Sequence, residues 1–313
     1  MGRYSRLLLD INQVEHFLST VLDFKPEPDE KDIAFKIVSS EKALIDYENP
    51  GVQTLMYDNY RDRAYKTEAI RWTLREKIIE ELITEVRLDD DDEIRLGKGG
   101  ALPKTGVKAE KKAFLVIGLP ASGKSGISSK IADKYHAVII DSDYAKRKLP
   151  EFHKLGWGAS LVHAESTQIT SGFKDNPKKI MTLQTRSIHS GYNIVVPIIG
   201  NTSDKLIEAA KALISVGYEV HLTLVALPKQ KATIRAVKRY NKSGRYVPLG
   251  MIFDDFGNDP SLIYYLLKCE GKTLFKSFGA ISTDVDLGEP CFTFDLEGDN
   301  PARMYNFEKK ILY

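Results

Sequence analysis

The stretch Gly118-Leu119-Pro120-Ala121-Ser122-Gly123-Lys124-Ser125, led by the apolar run Ala113-Phe114-Leu115-Val116-Ile117, decides how this chain is read. Its two glycines enclose a short loop and are followed by Lys and Ser, the pattern of a backbone that wraps phosphate. The run before it is uncharged and rich in strand-forming residues, as a strand buried in a parallel sheet should be. Lys124 to Tyr135 reads as the helix that follows. In a strand, loop and helix of this kind, successive N–H groups and the helix N-terminus point at phosphate oxygens. Gly118, Ala121, Ser122, Gly123, Lys124 and Ser125 are the candidate nucleotide-binding residues. Lys124 would reach the β- and γ-phosphates of ATP or GTP, and the Ser125 hydroxyl would sit on Mg²⁺. The plain alternative is a glycine-rich turn carrying a surface lysine.

The chain around this loop has 313 residues, enough for one large domain with an addition or for two domains. Its 42% hydrophobic and 28% charged residues are ordinary for a soluble globular protein. A net charge of +2 exerts no strong pull toward nucleic acid or membrane. The two cysteines, Cys269 and Cys291, are too few for a disulfide framework and point to a reducing, cytoplasmic setting. No stretch approaches the roughly 20 apolar residues of a membrane span, and Met1 to Arg6 has no signal-peptide core. Gly2 begins a myristoylation pattern that Arg6 breaks, because Ser or Thr is wanted there. The six histidines have no metal-ligand spacing, so no structural metal is expected.

N-terminal to the loop, residues 1–96 read as helical. Leu8, Ile11, Val14, Phe17, Leu18 and Val21 recur at steps of three and four, and Pro26 and Pro28 end that segment. A second amphipathic piece runs from Ile33 to Tyr47 and stops near Asn49-Pro50-Gly51. The longest covers Thr67 to Arg87, with Ile70, Leu74, Ile78, Leu82 and Val86 on one face and Glu76, Lys77, Glu80, Glu81 and Glu85 on the other. The region lacks a convergent set of acids, bases and cations, so it is expected to present or regulate the remainder. The acidic run Asp89 to Glu93 and the Gly- and Lys-rich residues 97–112 read as solvated loop and linker. Metal binding or autoinhibition is the alternative for these runs.

C-terminal to the loop, strands and helices alternate, which implies a parallel sheet flanked by helices. Ala137 to Ile140 is a second strand ending at Asp141-Ser142-Asp143. A polar helix follows near Ala159 to Ser171, and another starts at Asn176-Pro177 and ends before Gly191. Asn193 to Ile199 is a strand, and Thr202 caps a helix reaching Val216. Tyr218 to Leu227 is the next strand and Lys229 to Lys242 a basic helix. Ile252 to Leu267 is expected to be helical, and Ala280 to Leu296 strand and turn. The fold class is thus α/β, a P-loop kinase-like domain at 113–313 behind a linker at 97–112 and a helical region at 1–96.

Asp143 lies just past the second strand, and open α/β sheets bind ligands outside the carboxyl ends of their strands. A carboxylate there could take the proton of a hydroxyl attacking the γ-phosphate. Alternatively, Asp141 or Asp143 caps a helix beginning at Tyr144. The transferred charge needs cations beyond Lys124, and Arg239 and Arg245 could supply them from a mobile edge, with Arg235 a further candidate. Glu165 and Ser166 are candidate substrate-binding residues, with plain helix surface as the alternative. Trp157, between Gly156 and Gly158, could shape the same pocket or pack in the core.

Together these residues resemble the zeta-toxin family of P-loop kinases, which phosphorylate a sugar hydroxyl of a nucleotide metabolite, best known for UDP-N-acetylglucosamine. The match rests on residues 118–125, on Ile140-Asp141-Ser142-Asp143 with Lys146, Pro150 and Phe152, and on Arg239-Tyr240 with Arg245. It covers about Ala113 to Pro248. By this resemblance Asp143 is the base, Lys124 binds phosphate, and Arg239 and Arg245 steady the transferred group. Val162 to Ser166 looks like a substrate-side segment. Ala121 stands at a family glycine, and Gly200-Asn201 where Glu-Gly-Thr is frequent. The ending Pro197 to Gly200 and the segment Gly244 to Pro248 look more like a branch with a plant-pathogen effector that phosphorylates NAD.

The resemblance implies a toxin or effector, restrained by an antitoxin or chaperone partner or by the N-terminal helices, and as an effector it could be secreted into a host. A polynucleotide 5′-kinase is an enzymatic alternative, although it would show a basic groove with stacking aromatics. A non-catalytic ATP- or GTP-dependent interaction module is the other class. That module would need no base.

Overall fold

The computed structural model describes residues 7–27, 30–45, 53–154, 156–173, 178–271, 273–286 and 288–308. In chain order the N-terminal helices are α1 (Ile11–His16), which runs into a π-helical turn at Phe17–Val21, α2 (Ile33–Ile45), α3 (Gln53–Met56) and α4 (Glu68–Thr84). Strand β1 (Lys112–Ile117) opens the α/β part. It is followed by α5 (Lys124–Tyr135), β2 (Val138–Ile139), α6 (Ser142–Lys148), α7 (Gly158–Leu161), α8 (His163–Thr170), α9 (Leu183–His189), β3 (Ile194–Ile198) and α10 (Ser203–Ser215). Then come β4 (Glu219–Ala226), α11 (Lys229–Ser243), a π-helical turn at Met251–Phe256, α12 (Asp259–Glu270), β5 (Ser277–Ser282) and β6 (Phe292–Glu297).

The described residues build one six-stranded sheet in the order β2-β3-β1-β4-β5-β6. All neighbours are parallel except β5 and β6. In β1, Ala113 stands opposite Ile194 of β3 and Val220 of β4, and Ala113 to Ile117 are fully buried. A strand covered on both faces has no use for polar alternation, which is why the run reads as continuously apolar. The chain leaves β1 toward one side of the sheet and later crosses to the other for β4, so the crevice at the carboxyl end of β1 is the expected ligand position.

The apolar positions chosen for α4 need correction. Leu74, Ile78 and Leu82 are buried, but Ile70 and Val86 are 47% and 48% exposed. A step of four residues overshoots a helical turn by about 40°, so a stripe of that stride drifts about 120° from Ile70 to Leu82, and Val86 lies past the end of the helix at Thr84. Arg71 and Arg75 take the interior positions instead, and Glu81, expected on the polar face, is buried against Lys148.

The stretch expected to be solvated is partly packed. Gly99, Gly100 and Ala101 are buried, and Ala101 bridges α4 to β2, donating its N–H to Leu82 O at 2.8 Å and accepting one from Ile139 at 2.9 Å. A Cβ on Gly100 would stand 2.0 Å from Glu85 O, so only glycine permits that approach.

Other boundaries shift too. The helix expected at Tyr144 begins at Ser142. The polar helix splits at Val162 into α7 and α8. The expected start at Asn176-Pro177 lies outside the described residues, and α9 begins after Thr182, whose hydroxyl caps Thr185 N. The segment from Ile252 breaks at Gly257. Gly2, Pro28 and Asn49-Pro50-Gly51 also lie outside the described residues.

Among the described residues two apolar cores result. One lies around the sheet and includes α4. The other joins Val14, Phe17, Ile33, Ile37 and Val38 to Leu119 of the loop, to Ala232, Ala236 and Val237 of α11, and to Tyr240, Tyr246 and Leu249.

Candidate active site

Residues 118–125 turn off the carboxyl end of β1 into α5. Gly118 donates its N–H to Ile199 O on β3's exit, and a Cβ there would meet Val225 O at 2.5 Å, so the loop start is held between the two neighbouring strands. Ala121 sits at φ 61°, a left-handed conformation that costs an L-residue about 1 kcal/mol. The loop thus keeps a glycine-like path at this position. Thr283, just after β5, donates its hydroxyl to Ser122 O at 2.7 Å and pins the loop from the other side. The Ser122 hydroxyl oxygen is buried with no partner.

Lys124 turns back into the loop, its ammonium donating to Gly118 O and Leu119 O at 2.6 Å each. Burial pulls its pKa down to about 8, and Arg239 adds to this while Asp141 and Asp143 oppose it. Lys124, Arg239, Asp141 and Asp143 therefore share one electrostatic environment. Ser125 stands exposed in the first turn of α5. Among the described residues no group of three or more His, Cys, Asp or Glu could hold a metal ion.

The two aspartates past β2 have different surroundings. Asp141 is the N-cap of α6 and accepts the Asp143 N–H at 2.9 Å. Burial first, and then the Asp143 charge, push its pKa up. Asp143 makes an ion pair with Lys146 at 2.9 Å on one oxygen and with Arg245 on the other. Burial would raise its pKa as well, but Arg245, Lys146 and Arg147 outweigh that and hold the carboxyl well below the usual range.

Arg245 approaches from the segment after α11 and lies 5.9 Å from the Phe152 ring centroid, a cation–π contact. Arg239, near the C-terminal end of α11, has no ion pair among the described residues, and its Nε is buried without a hydrogen-bond partner. Burial and then Arg245 lower its pKa to about 10. Arg235 instead donates to Thr283 O at 2.8 Å.

Glu165 and Ser166 are used elsewhere. Glu165 is fully buried, receiving Arg71 at 2.6 and 2.8 Å and Arg75 at 2.6 Å. Arg71 also reaches Glu151, at 2.8 and 3.1 Å. The Ser166 hydroxyl donates to His163 O. From the same helix it is His163 that feels the charges of Lys146 and Asp143. The Lys146 ammonium lowers the His163 pKa to about 4, with partial desolvation adding to this and Asp143 opposing it, so that the ring is neutral. Trp157 packs at the edge of the second core.

Sequence reasoning missed Arg147 and Asp92. The buried Arg147 donates to Asp143 O at 3.1 Å and to Asp92 at 2.9 Å, so the acidic run expected to be solvent-facing contributes a carboxylate to this cluster. The basic run Lys146-Arg147-Lys148 after an aspartate cap was the available signal. Lys124, Lys146, Arg147, Arg239 and Arg245 stand against Asp92, Asp141 and Asp143, a surplus of positive charge suited to a polyphosphate.

Residues 102–258 match the family model described as Zeta toxin. The zeta toxin of Streptococcus agalactiae is 29% identical over 130 residues, 41% of this chain and 44% of that protein. Those of Enterococcus hirae and Streptococcus pyogenes are 28% identical over the same length. The chain thus spans less than half the length of the toxins it matches. Among solved structures, one from the PezAT chromosomal toxin-antitoxin system of Streptococcus pneumoniae aligns with a TM-score of 0.46 at 19% identity, covering 72% of this chain and 81% of that one. The AvrRxo1-ORF1:-ORF2 structure with ATP aligns with a TM-score of 0.40 at 15% identity, covering 97% and 78%.

Proposed function

This chain belongs to the zeta toxin family, and we propose that it is an ATP- or GTP-dependent kinase that phosphorylates a sugar or ribose hydroxyl of a nucleotide metabolite such as UDP-N-acetylglucosamine or NAD. The observation that carries this reading is the Asp143 carboxylate, held ionised by Lys146 and Arg245 within the electrostatic reach of Lys124. A switch that only binds nucleotide needs no base there to take the proton of an acceptor hydroxyl.

In the proposed reaction the loop amides and Lys124 bind the donor phosphates. The acceptor oxygen attacks the γ-phosphorus, its proton passes to an Asp143 oxygen, and the bond from the γ-phosphorus to the bridging oxygen breaks to leave ADP or GDP. Arg239 and Arg245 offset charge on the transferred group. The exposed Ser125 hydroxyl would hold Mg²⁺, which supplies further charge neutralisation when bound. Residues 113–313 carry this chemistry, 97–112 join them to the helical region 1–96, and the acceptor is a small molecule in the cytoplasm or, for an effector, in a host cell. An antitoxin-like or chaperone-like protein is the expected partner, since phosphorylating such metabolites is harmful.

The test is to incubate the full chain with γ-labelled ATP or GTP and a metabolite extract, and to identify the labelled product by mass spectrometry. A phosphorylated nucleotide sugar or dinucleotide is expected. Label confined to polynucleotide 5′-ends would favour a polynucleotide kinase, and no transfer would favour a nucleotide-dependent interaction module.

A further inference from the structure

Each of the two arginines beside Asp143 is followed directly by a buried tyrosine, and both tyrosines are fastened to α2. The Tyr240 hydroxyl lies 2.8 Å from the Ser40 hydroxyl and donates to Lys36 O at 3.0 Å. The Tyr246 hydroxyl donates to a Glu41 carboxylate oxygen at 2.5 Å. The two rings meet edge to face with centroids 5.0 Å apart. Lys36 adds a bond from its ammonium to Asn241 at 3.2 Å. The contacts join residues about two hundred positions apart, so the chain has to fold α2 onto the far end of α11 to make them.

The geometry points to Glu41 as a positioning residue that, through Tyr246, fixes the backbone from which Arg245 reaches Asp143. Glu41 is fully buried, and its second carboxylate oxygen has no partner. An apolar pair would fill this space at lower cost, because a half-satisfied buried carboxylate destabilises the fold. Local rules are broken in this way where placement of a functional group requires it. Burial raises the Glu41 pKa to about 7, with the Tyr246 hydrogen bond opposing, which agrees with the closeness of the contact. The family match begins at residue 102, so this anchor comes from outside the matched segment. The assignment rests on the kinase reading for its catalytic consequence, and on the geometry alone for the anchoring.

The test uses the full chain with Glu41→Ala, Tyr246→Phe and Glu41→Gln, the last keeping an oxygen to accept the tyrosine hydroxyl. Hydrogen exchange of residues 243–249 is expected to rise about tenfold or more in the first two, with residues 118–125 changed less than about twofold. In phosphoryl transfer, kcat should fall about tenfold while the KM for ATP stays within about threefold, and Glu41→Gln should restore both. Adding Glu41→Ala to Arg245→Ala should cost nothing further, since Glu41 acts through Arg245. Unchanged exchange in 243–249, or losses that multiply in the double variant, would overturn the proposal. If the wild type transfers no phosphate, the kinase reading fails, and the exchange measurement still decides the anchor. Tyr246→Phe removes a single oxygen, so it keeps the test open where Glu41→Ala does not fold.

Discussion

Arg245 and Asp143, 102 residues apart in sequence, close an ion pair within the electrostatic reach of Lys124. The lid arginine thus occupies the carboxylate that would accept the substrate proton. It keeps that carboxylate ionised, and it also stabilises the charge that a base must give up.

Removing the arginine should therefore move a titration. In wild type, the acid limb of kcat/KM contributed by Asp143 lies below the ordinary carboxylate range, because Arg245 is the first of the charges that outweigh burial. In Arg245→Gln, burial prevails further and the limb should rise toward the ordinary carboxylate range, with a lower plateau. A limb that stays in place would show that the pair does not control the base.

Lys124 should make nucleotide affinity fall in alkali. Burial and Arg239 bring its pKa to about 8 in the free protein, so its charge is lost as the pH rises through that value. A bound polyphosphate favours the ammonium, and linkage then requires proton uptake on binding. We expect the Kd for ATP to weaken several-fold, up to about tenfold, per pH unit above 8. Calorimetry in two buffers of different ionisation enthalpy would measure the uptake, and a Kd flat to pH 9.5 would contradict it.

The buried ion network predicts a structural outcome for Glu165. Both of its oxygens are engaged by Arg71 and Arg75, which have no access to water. Breaking a buried pair costs about 3 to 5 kcal/mol, and the loss here should fall at the lower end because Arg71 keeps Glu151 and Arg75 keeps Glu68. Glu165→Gln should lower the unfolding midpoint with little effect on acceptor KM in the fraction that remains folded. An unchanged midpoint with a raised KM would instead support the substrate-binding reading.

Glu41 predicts an unusual slope in stability. Its pKa is raised from 4.5 to about 7, so the folded state binds more protons than the unfolded state between those values. The contribution is fully present below pH 4.5 and is lost as the pH rises through 7, about 3 kcal/mol in all. Denaturant unfolding of wild type and Glu41→Gln, compared from pH 4.5 to 7.5, should show wild type losing about that amount of stability relative to Glu41→Gln as the pH rises. A constant difference would mean that Glu41 titrates normally.

What the sequence made legible was local. The strand, loop and helix from Lys112 to Tyr135 are set by neighbouring residues, so pattern alone located them. Asp141 as a cap and Asp143 beyond the strand end follow from the same few positions. Arg71 with Glu165, and Glu41 with Tyr246, depend on contacts across 94 and 205 positions, and nothing in helical periodicity separates a buried arginine from an exposed one. The acidic run is largely solvent-exposed as expected, and what sequence could not show is that Asp92 within it pairs with Arg147.

The most direct measurement compares turnover and ATP Kd for wild type, Asp143→Asn and Asp141→Asn. Asn caps a helix about as well as Asp, so Asp141→Asn should keep its fold and most of its turnover. Asp143→Asn keeps the shape and loses the basic lone pair, so turnover should fall by about 10² to 10⁴ while the Kd for ATP changes little. Turnover of Asp143→Asn within about threefold of wild type would contradict the assignment of Asp143 as the base.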